Sequence, residues 1–390
     1  MSEVKVSSGR LLSLDILRGI TIAGMILVNN PGSWTSIYAP LRHAEWNGLT
    51  PTDLVFPFFM FIMGISMYFS LRKFQFRPSG HLMWKIVRRT ILIYLIGVAI
   101  AWFSNFCYGL GSSEGSLWER ICQSANSFAH LRLVGVMPRL ALTYFFGSIV
   151  AITLKHKFIP WLIAAILVVY AVILLVGHGY DFTTDNVIYI VDTAILGHAH
   201  MYTGVTVDGV NMPFDPEGLL STLPCIAHVL IGLMCGEMIM KTKDNNQRTN
   251  DLFRVGVILT FAGLLLNYGL PINKSVWSPT YVLTTCGLGA SLLGLLIWII
   301  DIKGRKTWCR FFESFGINPL FLYVLGGVLG ILFGAISIGG VSIKGWIHTH
   351  FLLAMVGDAF LASCLYAIVF VIINWCIGYI LYKKKIYIKI

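Results

Sequence analysis

Charged residues are scarce in this sequence of 390 residues. Asp, Glu, Lys and Arg together make up 12% of it, whereas about a quarter is usual for a soluble domain. Hydrophobic residues reach 56%, so the composition excludes a soluble enzyme, a disordered chain and a secreted disulfide scaffold. The class that remains is an all-α polytopic membrane protein, because a helix of ~20 apolar residues spans a bilayer and satisfies its own backbone polar groups.

Acidic residues are scarcer than basic ones, with 18 Asp and Glu against 29 Lys and Arg. Ten apolar stretches predict about ten transmembrane helices, at 11–30, 52–71, 86–104, 135–154, 158–176, 220–240, 252–270, 278–300, 315–336 and 357–382. Of the 29 basic residues, 22 lie in the connections on the side of both termini, five on the opposite side and two inside helices. Basic residues mark the cytoplasmic side, so we expect both termini there. Nucleic-acid binding is not expected, because no basic face with groove-reading or stacking elements is present.

Motifs for metal binding and processing are missing as well. The eight cysteines show no CxxC or metal-ligand spacing, so we expect no metal site, and a disulfide between Cys107 and Cys122 stays open. The first apolar stretch contains Asp15 and Arg18, which predicts a retained helix rather than a cleaved signal peptide. We therefore expect one transmembrane domain over 1–390, with external loops at about 31–51, 105–134 and 177–219.

The first external segment concentrates polar residues and helix breakers around one histidine. His43 is the only side chain there with an ordinary pKa near neutrality. It is accompanied by a carboxylate, carboxamides and an aromatic ring, from Asp53, Asn29, Asn47 and Trp46. A base, an orienting acid and hydrogen-bond donors are what acyl transfer to an amine requires. The alternative is an interfacial His–Trp belt whose Asn and Asp residues cap helices.

The loop at 177–219 is acidic and contains no Lys or Arg. Its carboxylates belong to Asp181, Asp185, Asp192, Asp208, Asp215 and Glu217, and His200 lies in its middle. Clustered carboxylates attract cations, including protonated amines. A solvated acidic loop and a calcium or magnesium site are the alternatives that the composition leaves open.

Several motifs together resemble the heparan-α-glucosaminide N-acetyltransferase family. They are spread over nearly the whole chain and comprise Ser13–Gly19, Val28-Asn29, His43–Thr50, Asp53–Pro57, Arg132, Gly135-Val136, Arg139, Val191-Asp192, His200–Tyr202, Asp215–Gly218, Asn273-Lys274, Asn318 and Tyr382–Lys385. The block His-Ala-Glu-Trp-Asn-Gly-Leu-Thr at 43–50 is the most specific of them. The animal enzyme has a lumenal domain before the membrane bundle, so we expect a bacterial-type relative without it.

The resemblance implies transfer of acetyl from cytosolic acetyl-CoA to the amine of a glucosamine-type sugar on the external, periplasmic side of the inner membrane. It implies that His43 is the catalytic histidine and Asn29 its companion. We expect acceptor contacts from residues of the two external segments, namely Trp46, Asn47, Asp53, Asp192, His200, Asp215 and Glu217. His43 can act as a general base or accept the acetyl group first, and the sequence does not choose between these routes.

The phosphates of acetyl-CoA are expected to bind on the cytoplasmic side. The candidates are Arg88, Arg89, Arg18 and Asn318, although Arg18 lies three residues from Asp15 and a structural ion pair is the alternative. A homodimer is compatible with the sequence. The rival function is a membrane transporter for amino sugars of the N-acetylglucosamine type, which also needs broken helices and a polar site.

Overall fold

Helices make up nearly all of the regular structure in the computed structural model, which describes residues 11–112 and 114–388. They are α1 (Leu12–Asn29), α2 (Val55–Arg72), α3 (Gly80–Ser112), α4 (Leu117–Ala125), α5 (Val136–Thr153), α6 (Ile159–Val176), α7 (Val187–Leu196), α8 (Thr222–Lys241), α9 (Asn245–Leu266), α10 (Pro279–Leu296), α11 (Cys309–Ile317), α12 (Pro319–Ala335) and α13 (Ala359–Lys383). Two stretches have π geometry, Ile297–Ile302 after α10 and Trp346–Leu353 before α13. Short 3₁₀ turns lie at Ala39–Leu41, Pro51–Leu54, Ser127–His130, His156–Phe158 and His198–His200.

The all-α polytopic class is confirmed. Within the described residues, nine helices are long and apolar enough to span a bilayer, and the bent pair α11–α12 would form a tenth span. The two members of this pair meet at Asn318 with an angle of 88° between them. Pro319 follows the bend, and because the residue before a proline disfavours helical geometry, the chain turns there.

The third apolar stretch is longer than its sequence pattern indicates. We predict it at 86–104, whereas α3 runs from Gly80 to Ser112, because polar residues at its ends continue the helix without adding to the apolar run. The expected loop at 105–134 is therefore partly helical and also contains α4. Ser116 and Glu119 form a capping box that starts α4, and this motif fixes a helix start independently of hydrophobicity.

Glycines allow the central helices to approach closely. A Cβ on Gly64 of α2 would lie 2.1 Å from the Val229 carbonyl oxygen of α8, and one on Gly232 would lie 2.2 Å from that of Phe61. A glycine also allows α1 and α11 to approach closely, since a Cβ on Gly316 would lie 2.0 Å from the Asp15 carbonyl oxygen. These contacts leave no space for a side chain, so the helix backbones themselves fix the frame that carries the functional residues.

The two ends of the bundle differ in character. We call the end formed by 30–54, 114–135, 177–221 and 267–278 the loop face, and the end formed by 73–79, 154–158, 242–244, 303–308 and 384–388 the basic face. The loop face carries the hairpin of β1 (Val205–Val207) and β2 (Val210–Met212). Asp208 and Gly209 both have positive φ between these strands, as a two-residue type I′ turn requires. A shorter pair, β3 (Ser337–Ile338) and β4 (Val341–Ser342), follows α12.

A second, small core holds the loop face together. It consists of Trp46, Tyr170, Leu174, Ile188, Met212, Phe214 and Val276. These residues come from the first connection, from α6, from the long loop and from the turn after α9. These four segments are thus packed against each other, so the polar side chains they carry have fixed positions.

Candidate active site

His43 and Asp53 form a hydrogen-bonded pair on the loop face. Nδ1 of His43 lies 2.6 Å from Oδ1 of Asp53. The Asp53 side chain is 1% exposed, whereas that of His43 is 45% exposed. A carboxylate only accepts hydrogen bonds, so Nδ1 carries the proton and donates a hydrogen bond to Asp53, and Nε2 is the nitrogen with the lone pair. The arrangement matches that of a histidine base oriented by an acid.

The local sequence explains why Asp53 points at His43. Pro51 begins a 3₁₀ turn, and Thr50 and Asp53 form a capping box around it. Oδ2 of Asp53 accepts hydrogen bonds from the Thr50 amide, the Thr50 hydroxyl and the Ala44 amide, at 3.1, 2.9 and 3.1 Å. Because three donors hold Oδ2, Oδ1 is left to orient the imidazole.

Lys274 is the third member of this cluster. Its Nζ lies 3.0 Å from Nδ1 and 3.4 Å from Nε2 of His43, and 3.6 Å from Oδ1 of Asp53. Burial lowers the pKa of Lys274, and the charges of Asp53 and Glu217 partly offset that effect. Lys274 was not among the predicted site residues. Its place in the Asn273-Lys274 motif of the family resemblance is the feature of the sequence that could have indicated it.

Trp46 and Asn47 both form hydrogen bonds to neighbouring segments. Trp46 is buried, and its Nε1 donates a hydrogen bond to the Tyr180 carbonyl oxygen at 2.6 Å. Its ring packs edge-on against Phe182 and Phe214. Asn47 is exposed, and its Oδ1 accepts a hydrogen bond from Asn273 at 3.1 Å. Both residues are close to His43 in sequence, but their hydrogen bonds join the segment of His43 to neighbouring segments.

Asp215 and Glu217 meet Arg132. Arg132 binds both oxygens of Asp215, at 2.8 and 2.6 Å, and one oxygen of Glu217 at 2.7 Å. Asp215 is fully buried and also accepts the amides of Tyr202 and Glu217. Burial raises the pKa of Glu217, but the charges of Arg132, Arg139 and Lys274 and the hydrogen bond from Arg132 together outweigh that effect, and the net shift is downward. One guanidinium therefore offsets one of these two negative charges, and the acidic loop attracts cations less than its composition indicates.

Asp192 and His200 also form hydrogen bonds with backbone groups. Oδ1 of Asp192 accepts the amides of Leu219 and Leu220, both at 3.0 Å, just before α8 begins. Burial raises the pKa of Asp192 to about 6, against the two backbone hydrogen bonds, which lower it. Nδ1 of His200 lies 2.7 Å from the Leu131 carbonyl oxygen, so this nitrogen donates. Both residues join the long loop to its neighbours.

Asn29 is the last residue of α1 and lines a cavity of about 420 Å³. Asn30 and Pro31 follow it, and the helix ends there. The cavity is enclosed by α1, α3, α5 and α12 and by the segment around Lys344, and Arg132 and Tyr323 are among its polar lining groups. His43 does not line this cavity. Glu217 links the cavity to the His43 cluster. It binds Arg132, which lines the cavity, and its charge acts on Lys274, which lies beside His43.

A second cavity, of about 240 Å³, lies toward the basic face and is lined by α2 as well as by α1, α3, α5 and α12. Arg18 and Arg89 line it, together with Leu140 and Tyr144 of α5. The Arg89 guanidinium lies over the Tyr144 ring, 4.7 Å from its centroid. One turn of α3 separates Ile93 in this cavity from Gly97 in the larger one. The two cavities are therefore stacked along α1, α3, α5 and α12.

The remaining candidates on the basic face have different surroundings. Arg18 pairs with Asp15 at 2.9 Å, as the alternative interpretation predicted, and donates to Ser66 at 2.8 Å. Arg88 is exposed and does not line the second cavity. The Asn318 side chain donates to the Ile386 carbonyl oxygen and accepts the Ile388 amide, at 2.9 and 2.8 Å, so it fastens the segment after α13 to the bend before α12.

Arg139 is buried near the loop-face end of α5. It donates hydrogen bonds to the Gly218 carbonyl oxygen and to Ser221, and its guanidinium lies over the ring of Trp277. An arginine inside a membrane bundle needs such partners.

Within the described residues no group of three His, Cys, Asp or Glu side chains could hold a metal ion, and both Cys107 and Cys122 are free thiols.

Fold and site together define a polytopic helical membrane protein with a His–Asp–Lys cluster on one face and arginine-lined space toward the other. Residues 10–111 match the family model described as "Heparan-alpha-glucosaminide N-acetyltransferase, catalytic". The chain is therefore related to the heparan-α-glucosaminide N-acetyltransferases, and the resemblance seen in its motifs is confirmed.

Two relatives named "Heparan-alpha-glucosaminide N-acetyltransferase" extend the similarity along the chain. The mouse protein is 28% identical over 372 residues, which cover 82% of this chain and 53% of the relative. The human protein is 30% identical over 370 residues, which cover 81% of this chain and 52% of the relative. The chain thus spans about half the length of these two relatives. A "Phospho-N-acetylmuramoyl-pentapeptide-transferase" of Synechococcus sp. (strain JA-3-3Ab) is 29% identical over 105 residues, 26% of this chain and 28% of that protein.

Proposed function

We propose that this protein is a transmembrane N-acetyltransferase that moves acetyl from acetyl-CoA to the amine of a glucosamine-type sugar. The two relatives carry the name of such an enzyme. The structural observation that supports the proposal most is the stacking of two cavities along α1, α3, α5 and α12, with Arg18 and Arg89 toward the basic face and Asn29 toward the loop face.

We assign acetyl-CoA to the two stacked cavities by charge and shape. Its phosphates are matched by Arg18 and Arg89, since a guanidinium binds phosphate well. From Arg89 to Ile100, α3 rises about 17 Å at 1.5 Å per residue, a distance that suits the thin arm carrying the thioester. Glycines on α12, Gly326, Gly327 and Gly330, keep the larger cavity open on that side.

The chemistry of transfer is assigned to the loop face. The acceptor amine loses its proton to Nε2 of His43, whose Nδ1–H stays bound to Asp53, and the amine nitrogen then attacks the thioester carbonyl. As the C–N bond forms, the C–S bond breaks, and the CoA thiolate leaves with the proton that His43 took from the amine. Asn29 is exposed at the wall of the larger cavity, where its amide can donate a hydrogen bond to the oxygen that gains charge. Acetylation of His43 before transfer to the sugar is the alternative order, and the same residues support it.

The basic face is assigned to the cytoplasm by the distribution of Lys and Arg, and the loop face to the periplasmic side of the inner membrane. Only the acetyl group then crosses the bilayer. An amino-sugar transporter is the rival, since it also uses a polar cavity between broken helices. A transporter does not need a hydrogen-bonded His–Asp pair outside the cavity, and this pair favours the enzyme.

A vesicle experiment separates the two functions. Purified protein is reconstituted into liposomes, and acetyl-labelled acetyl-CoA is supplied on one face with glucosamine on the other. We expect N-acetylglucosamine to appear on the glucosamine side, and only when acetyl-CoA is on the side of the basic face. Movement of unmodified glucosamine without acetyl-CoA would instead establish transport. Empty liposomes and the His43→Ala variant are the controls.

A further inference from the structure

Lys274 gives the His43–Asp53 pair a feature that an oriented base does not require. Its Nζ lies within 3.6 Å of three atoms, both ring nitrogens of His43 and Oδ1 of Asp53. Among the described residues no other cation is bonded to either member of the pair. The cluster therefore contains one buried carboxylate, one imidazole and one ammonium group.

Lys274 is held in this place by its own turn. Asn273 is fully buried, and its side chain accepts the Val276 amide and donates to Asn47. The Ile272 carbonyl oxygen accepts the Gly48 amide at 2.7 Å, which ties the turn to the segment of His43. The Lys274 side chain itself is 19% exposed. It is a fixed part of the cluster, unlike a surface lysine that samples many rotamers.

Trp277 anchors the same turn from below. It is fully buried, packs edge-on against Phe56 and lies under the Arg139 guanidinium. Its φ is +51°, a left-handed conformation that is costly for a bulky residue and persists only where the surroundings enforce it. The packing that keeps Trp277 in this conformation also keeps Lys274 beside His43.

The charges in the cluster have opposite effects on the imidazole. A buried carboxylate 2.6 Å from Nδ1 favours a second proton on the ring, which would occupy Nε2 and remove the base. An ammonium group beside both nitrogens disfavours that proton, because it would place two positive charges within 3.4 Å of each other. Glu217 and Arg139 act on Lys274 with opposite signs from the segment before α8 and from α5, and the exposed Arg42 and Glu45 flank His43 on its own segment.

We propose that Lys274 is a positioning residue that keeps His43 singly protonated, with Nε2 free to accept the proton of the acceptor amine. This inference rests on the proposed acetyltransfer. It assigns to the turn after α9 a role in the reaction, and it explains why a lysine is buried next to a histidine that has to act as a base.

The test compares Lys274→Met with Lys274→Arg. In the Met variant the acidic limb of the kcat/KM profile should move up by about one pH unit, so that kcat/KM at pH values below the limb of the wild type should fall about tenfold. Lys274→Arg keeps the cation and should keep the limb of the wild type. Lys243→Met, an exposed lysine in the turn between α8 and α9, is the matched control and should change neither value. An unchanged pH profile in Lys274→Met overturns the proposal.

A second readout does not depend on acetyltransfer. Diethyl pyrocarbonate modifies neutral imidazole, and its reaction with His43 can be followed against pH by peptide mass spectrometry. The midpoint of that rate should move to higher pH in Lys274→Met and stay in place in Lys274→Arg. If the wild type transfers no acetyl group, the proposed function fails, while this midpoint still decides the role of Lys274.

Folding of the variants has its own control. Lys274→Gln keeps a hydrogen-bond donor without the charge, and it should behave like Lys274→Met in both assays. If neither neutral variant yields a monodisperse protein while Lys274→Arg does, the cation serves the fold and the proposal is overturned.

Discussion

Arg132 binds both carboxylate oxygens of Asp215, which lies 83 positions later in the chain. The contact joins the segment before α5 to the end of the long loop, next to the cavity that Asn29 lines. Asp215 is fully buried, so its charge depends on this partner. The acid that the sequence offered as a substrate contact is thus also an element of the loop-face structure.

Asp215→Asn should therefore lower stability. Removing one partner of a buried ion pair typically costs about 3 kcal/mol, and we expect a clear fall of the thermal unfolding midpoint in detergent. Asp185→Asn removes an exposed carboxylate from the same loop and should leave the midpoint unchanged. Equal midpoints for both variants would show that Arg132 finds other partners of similar strength.

Asp192 should make stability depend on pH. Its pKa in the folded protein is about 6, above the ordinary value of 3.8. The folded state then binds this proton more tightly than the unfolded state, so stability falls as pH rises from about 4 to above 6, by roughly 3 kcal/mol in total.

Asp192→Asn keeps the acceptor for the Leu219 and Leu220 amides but has no proton to lose. The variant should equal the wild type in stability near pH 3 and exceed it at pH 7.5. Thermal unfolding at the two pH values measures the difference, with Asp185→Asn as control. A variant whose stability falls with pH as steeply as that of the wild type would assign the dependence to other groups.

Substitutions of Gly327 test whether acetyl-CoA occupies the larger cavity. A Cβ on this residue would have only Ile100 near it, at 4.0 Å, so the position can take a side chain that points into the cavity. Gly327→Phe should fold but lose acetyltransfer at least tenfold, since its ring fills the space assigned to the thioester arm. Gly327→Ala should keep activity within about a factor of two. Full activity of the Phe variant would place the donor elsewhere.

Membrane orientation follows from the same assignment. In a background without the exposed Cys122 and Cys376, single cysteines are introduced on the loop face at Thr184 and on the basic face at Lys243. An impermeant thiol reagent added to intact cells should label the cysteine at 184 and spare the one at 243. The opposite pattern would overturn the assignment of the basic face to the cytoplasm.

Local sequence placed Asp53 near His43, because the two lie ten residues apart, but Asp53 was expected in contact with the acceptor and instead orients the imidazole. Lys274 could not be paired with them by spacing, since it is 231 positions from His43 and reaches it only through tertiary packing. Trp46 and Asp192 were expected in contact with substrate, yet both are buried and bonded to backbone. A sequence shows which side chains can do chemistry, but burial decides which of them serve the fold.

Helix ends show the same limit. The apolar run predicted the position of the third helix, yet α3 extends several residues beyond it at both ends, because helical backbone continues into polar sequence wherever neighbours support it. The bend at Asn318 was indicated by Pro319, whereas its angle of 88° depends on how α11 crosses α1 at Gly316.

The most direct test of the account is acetyltransfer by His43→Ala, measured together with binding of acetyl-CoA. We expect turnover with glucosamine to fall by about 10²–10⁴-fold, the usual contribution of a general base, while the affinity for acetyl-CoA stays within a factor of two, because its phosphates are assigned to the other end of the bundle. His198→Ala, an exposed histidine on the same face, serves as the control and should remain active. Turnover of His43→Ala near that of the wild type would contradict the assignment of His43 as the residue that carries the reaction.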